Sequence, residues 1–363
     1  MSPRHPHAPA LAPDEDVARS LGVTIEAVQI TRSCEVIDLH CDTFIPFRLW
    51  GYDWFERHDR VFTRGYGFGH LDVPRAVEGG LTGAMWSITT NIARTATGRW
   101  RVFLKNLDRL RGIFASSRGF LQHVRTPGEW RAARADGAMA CLIAIQGGNA
   151  LDAAPEGIAS VPDDSVIRVT LVHLSNSQIG VTSSPASAWK RDKGLTDQGR
   201  ELVRRLNQRR VFVDLAHIHP KGFWDAVEVH DRSQPLIVTH TGVCGVKPHW
   251  RNIDDAQIKA VADTGGTIGV IFHPGFLRTR GGPRDGRMVV DHMQHIIDVA
   301  GEDFVSIGSD YDGAITPPAE LRSGNSYPRL VQHMLDRGWT DTRIRKVLGG
   351  NFLRAFELLR PGA

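Results

Sequence analysis

Short apolar runs alternate with longer amphipathic stretches along the chain from about residue 35 onward. Eight runs have the length and the β-branched or apolar content of strands: 36–42, 83–90, 140–146, 166–173, 211–217, 236–241, 267–273 and 305–310. Between them, apolar residues recur at helical spacing, as in 195–210, 254–264, 289–299 and 340–359. Eight strands that alternate with helices predict a parallel sheet with crossover helices, and a closed (β/α)8 TIM barrel fits this count.

An open, doubly wound α/β sheet is the alternative architecture. The residues after the first predicted strand contain neither G-x-G-x-x-G nor G-x-x-x-x-G-K-[ST], which are typical of nucleotide-binding open sheets. The sequence also has no internal repeat and no low-complexity linker beyond its N-terminal segment. We therefore predict one barrel domain over residues 31–363, preceded by a largely polar tail, residues 1–30, with room for one short helix.

Composition narrows the class of protein. The 363 residues include 44 Lys and Arg against 40 Asp and Glu, and no dense basic block suits a phosphate backbone, so a nucleic-acid partner is not expected. The chain has no apolar stretch of about 18 residues that would span a membrane, and its first residues lack the apolar region of a secretory signal. Four scattered cysteines without a C-x-x-C pair fit structural thiols in a reducing compartment. A cytoplasmic location is expected.

Polar side chains stand where several predicted strands end. In parallel barrels the carboxyl ends of the strands form the active-site face, and unpaired imidazoles are costly at the end of an apolar strand. Side chains two residues apart on a strand project to the same side, so His40 and Asp42 can share one cation. The candidate residues at strand ends are His40, Asp42, His173, His217, His240 and Asp310.

Asp310 is the candidate proton carrier of this set. Gly308 and Ser309 precede it and leave room for a ligand or an ion beside its carboxylate. A carboxylate near a metal-activated water can accept its proton and later protonate a leaving amine. A helix cap or loop anchor is the alternative role, which we assign to Asp312. His273, at the end of the seventh strand, is expected to face the pocket and contact substrate.

Taken together, these segments resemble the membrane (renal) dipeptidase family of metallopeptidases, peptidase family M19, a branch of the amidohydrolase-like barrels. The resemblance extends from Val36 to Leu359. It rests on segments that occur in the family's order: VIDLHCD at 36–42, LDVPRAVEGGLTGAMWS at 71–87, VTLVHLSN at 169–176, GLTDQGRELVRRLN at 194–207, VDLAH at 213–217, THT at 239–241, WRNIDD at 250–255, VDHMQHI at 290–296, VSIGSDYDG at 305–313 and GGNFLRAFE at 349–357.

The resemblance implies a zinc-dependent hydrolase that cleaves dipeptides, with some family members accepting D-residues or β-lactam amides. It makes His40 and Asp42 ligands of a first zinc ion, and His217 and His240 ligands of a second. It also allows a homodimer.

The same resemblance assigns the remaining roles around the substrate. His173 would polarise the scissile carbonyl, and Asp310 would shuttle the proton. Arg251 would bind the terminal carboxylate of the substrate, because a planar guanidinium pairs with a carboxylate through two parallel hydrogen bonds. Asn252, its neighbour, is a further candidate contact.

Gln146 departs from the family pattern. The third strand of the family ends in Glu-Gly-Gly, and its glutamate bridges the two ions, whereas this chain has Gln146, Gly147 and Gly148 there. A carboxamide offers one good oxygen donor and no negative charge, so Gln146 at the bridging position is a weaker ligand than glutamate, and the site is expected to hold one ion, or two less tightly. Three functions stay open: a dipeptidase, a mononuclear hydrolase of another small amide, ester or lactone, and a catalytically impaired binding protein.

Overall fold

The computed structural model describes residues 5–58, 65–90 and 93–362 and has a barrel of parallel strands at its centre. Its strands are β1 Ile37–Cys41, β2 Gly83–Thr89, β3 Leu121–His123, β4 Met139–Gln146, β5 Val166–Thr170, β6 Phe212–Asp214, β7 Ile237–Thr241, β8 Thr267–Val270 and β9 Val305–Ile307. Eight of them pair in the order β2-β1-β9-β8-β7-β6-β5-β4, and pairing of β2 with β4 closes the ring. The predicted (β/α)8 barrel is confirmed.

The ninth strand, β3, was not predicted. Its three residues pair with the first residues of β4, before β5 begins on that side. A run of three residues is too short to show a period of two, so no sequence pattern marked it.

Helices surround the barrel. They are α1 Asp14–Leu21, α2 Ile25–Ser33, α3 Phe44–Trp50, α4 Val73–Glu78, α5 Ala96–Ser116, α6 Pro127–Ala135, α7 Asp197–Gln208, α8 Pro220–Val229, α9 Asp255–Ala262, α10 Pro274–Leu277, α11 Arg287–Ala300, α12 Tyr327–Asp336, α13 Asp341–Arg345 and α14 Asn351–Leu359. In the parts of the chain that the structure describes, none of these helices has both the length and the apolar character needed to cross a membrane.

Helix α7 shows how the sequence forms this outer layer. Thr196 caps it by accepting a hydrogen bond from the backbone N–H of Gly199. Its apolar residues Leu202, Val203 and Leu206 fall on one face at spacings of three and four and are buried against the barrel.

The N-terminal segment is more ordered than predicted. Residues 14–33 form two helices, α1 and α2, where the sequence analysis allowed one short helix in a polar tail. Helix α2 buries Ala27 and Val28, and the backbone N–H of Thr24 at its start donates to Gln332 of α12 at 2.8 Å. The residues that α1 and α2 bury are few, Val17, Ala18, Ala27, Val28, Ile30 and Thr31, so the largely polar composition of the segment hid its packing.

Candidate active site

The carboxyl ends of the barrel strands bring the predicted polar residues together. Nε2 of His40 lies 3.6 Å from Oδ2 of Asp42 and 3.5 Å from Oδ1 of Asp310. The ring of His40 stacks on that of His240 with centroids 3.8 Å apart. One potential ligand atom from each of His40, His240 and Asp310 lies within 4.8 Å of the others, and all three residues are buried.

Two further histidines extend this cluster on one side. Nε2 of His217 is 2.8 Å from Nε2 of His240, and the ring of His173 meets that of His217 edge-on at 4.7 Å. His217 and Asp310 both have left-handed backbones, with φ of 66° and 63°. This conformation is uncommon for residues other than glycine and persists only where the surrounding structure enforces it, which is frequent at active sites.

A chain of acceptors lies behind His240. Oγ1 of Thr239 is 2.8 Å from Nδ1 of His240 and donates its hydrogen to Oδ2 of Asp214 at 2.8 Å. A hydroxyl has one hydrogen, so Nδ1 of His240 must donate to Thr239. The neutral ring then has a free lone pair on Nε2, which is the form that binds a cation.

A donor lies behind His40 instead. Nη2 of Arg168 donates to Nδ1 of His40 at 3.0 Å and to Oγ of Ser87 at 2.8 Å. The Arg168 side chain is fully buried inside the barrel, and its Nη1 lies 3.3 Å from Oδ2 of Asp214. Arg168 and Asp214 were not predicted from the sequence. The available signal was a charged residue in the middle of the apolar strand VIRVT.

Asp38 was also missed, and it fixes the two strands that carry His40 and Asp310. Its carboxylate accepts hydrogen bonds from the backbone N–H groups of His40 and Ser309, at 3.1 and 2.9 Å, and from the hydroxyl of Tyr327 at 2.7 Å. Three donors satisfy this buried group, so Asp38 holds the strand ends in place.

Asp312, by contrast, was interpreted correctly as a loop anchor. Its carboxylate accepts from the hydroxyl of Thr43 at 2.6 Å and from the backbone N–H of His70 at 2.8 Å. These bonds tie the chain after β9 to the chains after β1 and before α4.

The environment of Asp310 suits a group that holds a proton. Burial raises the pKa of its carboxyl well above the usual range, and the nearby charge of Asp42 adds to this, whereas the charge of Arg251 opposes it. Burial also lowers the pKa of Arg251 to about 10, with Asp310 and Asp214 acting in the opposite direction. Arg251 therefore still carries its positive charge near neutral pH.

Arg251 keeps a donor available. Its Nη2 donates to the backbone carbonyl of His240 at 2.8 Å, which fixes the side chain above β7. Its Nε is buried and has no hydrogen-bond partner in the described part of the chain. A buried donor of this kind gains by pairing with an incoming acceptor.

His173 is held neutral. It is half-buried, and burial lowers its pKa to about 4, with the neighbouring charges of His40 and Arg251 acting in the same direction while Asp42 opposes them. A neutral imidazole can donate a hydrogen bond to a substrate oxygen without first having to lose or gain a charge.

Gln146 ends β4 at the expected position. The side chain is buried, and among the described residues its Oε1 has no hydrogen-bond partner. Gly147 follows with φ of 106°, and a Cβ there would lie 3.0 Å from Oδ1 of Asn149 and 3.6 Å from Cβ of His173. The glycine thus lets the chain turn sharply beside His173.

Asn252 and His273 make their contacts with residues outside the histidine cluster. The amide nitrogen of Asn252 donates to the carbonyls of Lys247 and Phe276, both at 2.9 Å, so it holds the loop that carries Arg251. The ring of His273 packs edge-on against Phe276 at 4.6 Å, and its Nδ1 is one of the buried atoms without a partner in the described ranges. Direct substrate contact by either residue stays a prediction.

Unpartnered atoms test whether a cation fits this cluster. Nε2 of His40, Oδ1 of Asp42 and Oε1 of Gln146 are buried without a hydrogen-bond partner, counting only the residues that the structure describes. Imidazole nitrogens with carboxylate oxygens are a donor set that suits zinc and similar divalent ions. The pair formed by His217 and His240 fits such an ion, because the group behind His240 leaves its Nε2 lone pair free.

Comparison with known proteins places the chain among metallopeptidases. A model of the membrane dipeptidase family (peptidase family M19) matches residues 25–360. The solved structure of dipeptidase AC, a metallopeptidase of family M19, aligns with a TM-score of 0.79 at 26% identity, over 89% of this chain and 98% of that chain. A metallopeptidase from Rhodobacter sphaeroides, bound to a phosphinate mimic of the dipeptide L-Ala-D-Ala, has a TM-score of 0.78 at 25% identity, over 89% and 99%.

A relative from Klebsiella pneumoniae, an uncharacterised protein of the pqqA 5′ region, is 30% identical over 262 residues. The match covers 70% of this chain and 95% of the relative. The resemblance inferred from the sequence motifs is confirmed by these matches.

Proposed function

The chain belongs to the membrane dipeptidase family of metallopeptidases, and from this premise we propose that it hydrolyses the amide bond of a dipeptide or of a similar small amide with a free carboxylate. One arrangement supports the proposal above all others. A buried group of potential cation ligands, a carboxyl with a raised pKa and a guanidinium with an unused donor converge at the carboxyl end of one barrel.

We propose that the substrate is oriented by Arg251 and His173. Arg251 pairs with the terminal carboxylate, since a guanidinium recognises this group with charge-assisted hydrogen bonds. His173, neutral at physiological pH, donates a hydrogen bond to the oxygen of the scissile carbonyl, where negative charge develops during attack.

Asp310 moves the proton. Its carboxylate accepts a proton from the attacking water, and its raised pKa then favours keeping that proton until the amine departs. The cation supplies the remaining chemistry when bound: it acidifies the water and polarises the carbonyl. His217 and His240 would hold it, whereas the sequence alone also predicts His40, Asp42 and Gln146 as ligands.

Zinc is the proposed metal because imidazole and carboxylate ligands in a buried site suit it. The partners that the sequence implies are few: a small-molecule substrate, no nucleic acid and no membrane, with a homodimer as the assembly to test by light scattering. A cytoplasmic location stays a prediction, with the four cysteines present as free thiols.

Gln146 favours a second candidate function. A centre without the bridging carboxylate can act as a mononuclear hydrolase on another small amide, an ester or a lactone, because one zinc ion is sufficient to activate water. The third reading, an impaired binding protein, predicts that substrates bind and are released unchanged.

The test is a substrate panel assayed with metal-loaded protein and with the Asp310→Asn variant. We expect hydrolysis of unblocked dipeptides, little hydrolysis of the same dipeptides with an amidated C-terminus, and a loss of about 10²–10⁴ in kcat for the variant with its metal content unchanged. Turnover of esters or lactones alone would favour the mononuclear hydrolase. If Asp310→Asn kept its full kcat, Asp310 would not be the proton carrier.

A further inference from the structure

The orientation of hydrogen bonds at His40 has a consequence for how many cations the centre holds. The N–H of Arg168 Nη2 points at Nδ1 of His40 across 3.0 Å. A guanidinium nitrogen only donates, so Nδ1 of His40 must be the acceptor and bears no hydrogen. A neutral imidazole without a hydrogen on Nδ1 carries it on Nε2 and has no lone pair there for a cation.

The surroundings of Nε2 fit a donor. Among the described residues this atom has no hydrogen-bond partner, but it faces two acceptors, the carboxylates of Asp42 and Asp310, at 3.6 and 3.5 Å. Coordination through Nε2 with Arg168 still in place would require the ring to lose both hydrogens and become an anion. His240 has the opposite arrangement, since its Nδ1 donates to Thr239 and leaves Nε2 free.

We propose that Arg168 makes this centre a one-cation site, in which His217 and His240 bind the ion while His40 acts as a hydrogen-bond donor toward Asp42 and Asp310. This inference rests on the proposed function only in requiring that the centre binds a cation. It concerns the number of ions and the residue that sets it, whichever substrate is cleaved.

The charges of the centre act in the same direction. Gln146 brings no negative charge to the position where the family has a bridging glutamate, and Arg168 adds a fixed positive charge beside His40. Asp214, 3.3 Å from Arg168, offsets part of that charge. A second dication would nevertheless lie close to the guanidinium of Arg168, which water does not screen. It would also lack the bridging carboxylate that offsets the repulsion between two ions about 3.5–4 Å apart.

Metal binding by the whole protein tests the proposal directly. Chelator-stripped protein is titrated with Zn²⁺ in a calorimeter, and the ion content is checked by elemental analysis after desalting. Co²⁺-loaded protein is then examined by electron paramagnetic resonance. We expect one tight ion per chain and the signal of an isolated Co²⁺. Two tight ions per chain, or a spin-coupled pair of Co²⁺ ions, would overturn the proposal.

Variants identify the residue responsible. In Gln146→Glu, which restores the carboxylate but keeps Arg168, we expect one tight ion as in the parent. In the double variant Gln146→Glu with Arg168→Met, we expect the affinity for a second ion to be at least about tenfold higher than in either single variant. The proposal is wrong if Gln146→Glu alone binds two ions tightly, or if the folded double variant still binds one.

A matched control separates these effects from a general loss of stability. Arg75 of α4 is another buried arginine, and its Nε lies 2.7 Å from Oδ2 of Asp72, which caps that helix outside the histidine cluster. Arg75→Met should leave the ion count unchanged. If Arg168→Met does not fold, the parent and Gln146→Glu titrations still decide the question. The ion count is also independent of turnover, so a protein that binds one ion and cleaves no dipeptide refutes the proposed function and leaves this inference intact.

Discussion

The two sides of the histidine cluster differ in the residues that hydrogen-bond to their histidines. On the β7 side, the hydroxyl oxygen of Thr239 accepts the Nδ1 hydrogen of His240 and itself donates to Asp214, which directs the Nε2 lone pair into the centre. On the β1 side, the guanidinium of Arg168 donates to His40 and leaves a hydrogen on its Nε2. Both rings are fully buried and stack on each other, so burial alone does not distinguish them.

This contrast shows that a histidine at the end of a barrel strand is not yet a metal ligand. The partner of its second nitrogen decides which tautomer is present, and therefore whether it coordinates a cation or donates a hydrogen bond. The motif H-C-D at 40–42 fits the family pattern, and the residue that changes the chemistry of its histidine is on β5, 128 positions away in the chain.

Replacing His240 or His40 by alanine should give the largest difference between the two sides. His240→Ala should weaken Zn²⁺ binding more than about 100-fold and abolish turnover, because even loss of a residue that merely orients a ligand costs 10–100-fold. His40→Ala should keep its ion within about tenfold of the parent. Calorimetric titration of both variants measures this, with circular dichroism as a check that each is folded. Equal losses would mean that both sides bind the metal.

Removing the hydroxyl behind each histidine should give a smaller difference of the same sign. Thr239→Val takes away the acceptor for His240 and should weaken metal binding by about 10–100-fold. Ser87→Ala removes the hydroxyl that lies 3.3 Å from Nδ1 of His40 and should change the affinity little. The comparison is made by competition with a chelator of known affinity. A larger loss in Ser87→Ala than in Thr239→Val would reverse the assignment of the two sides.

The barrel and the strand-end residues could be predicted because each has a local pattern in the sequence. Each of the eight barrel strands overlaps a predicted run, and β4 begins one residue before its run, at Met139. His40, Asp42, His240 and Asp310 converge because parallel strands end on one face. The departure at Gln146 was also visible, since it stands inside a motif with fixed neighbours.

The support behind these residues could not be predicted in the same way. Arg168 contacts His40 across the barrel interior, and Asp214 receives hydrogen bonds from Thr170 and Thr239 on two different strands. Such contacts depend on strand register and on the closure of the ring, neither of which is encoded by a local pattern. The two helices over residues 14–33 were missed for a related reason, because α2 packs on α12, about 300 positions away in the chain, and α1 packs on α2.

A further buried histidine, His292 of α11, contacts the loop that follows β7 and should make stability depend on pH. Nδ1 of His292 accepts from the backbone N–H of Val243 at 2.8 Å, at the start of the loop that carries Arg251, and its Nε2 lies 3.0 Å from the carbonyl of Leu277. A ring that accepts at Nδ1 and donates at Nε2 is neutral. Burial lowers the pKa of His292 to about 4, while its hydrogen bond to Leu277 partly opposes this.

The sign follows from the unfolded chain, where a histidine has a pKa of about 6.5. Below that pH the histidine is protonated in the unfolded chain, whereas His292 in the folded protein stays neutral down to about pH 4. The folded state therefore loses stability as the pH decreases from 6.5 toward 4. Between pH 7.5 and 5.5 this should cost about 1 kcal/mol in the free energy of unfolding. Urea unfolding of chelator-stripped His292→Gln should show a loss smaller by that amount than the parent. Met293→Leu changes packing on the same helix without removing a titratable group and should keep the parent's pH dependence. If His292→Gln kept it too, the loop on the β7 side would not depend on a neutral His292.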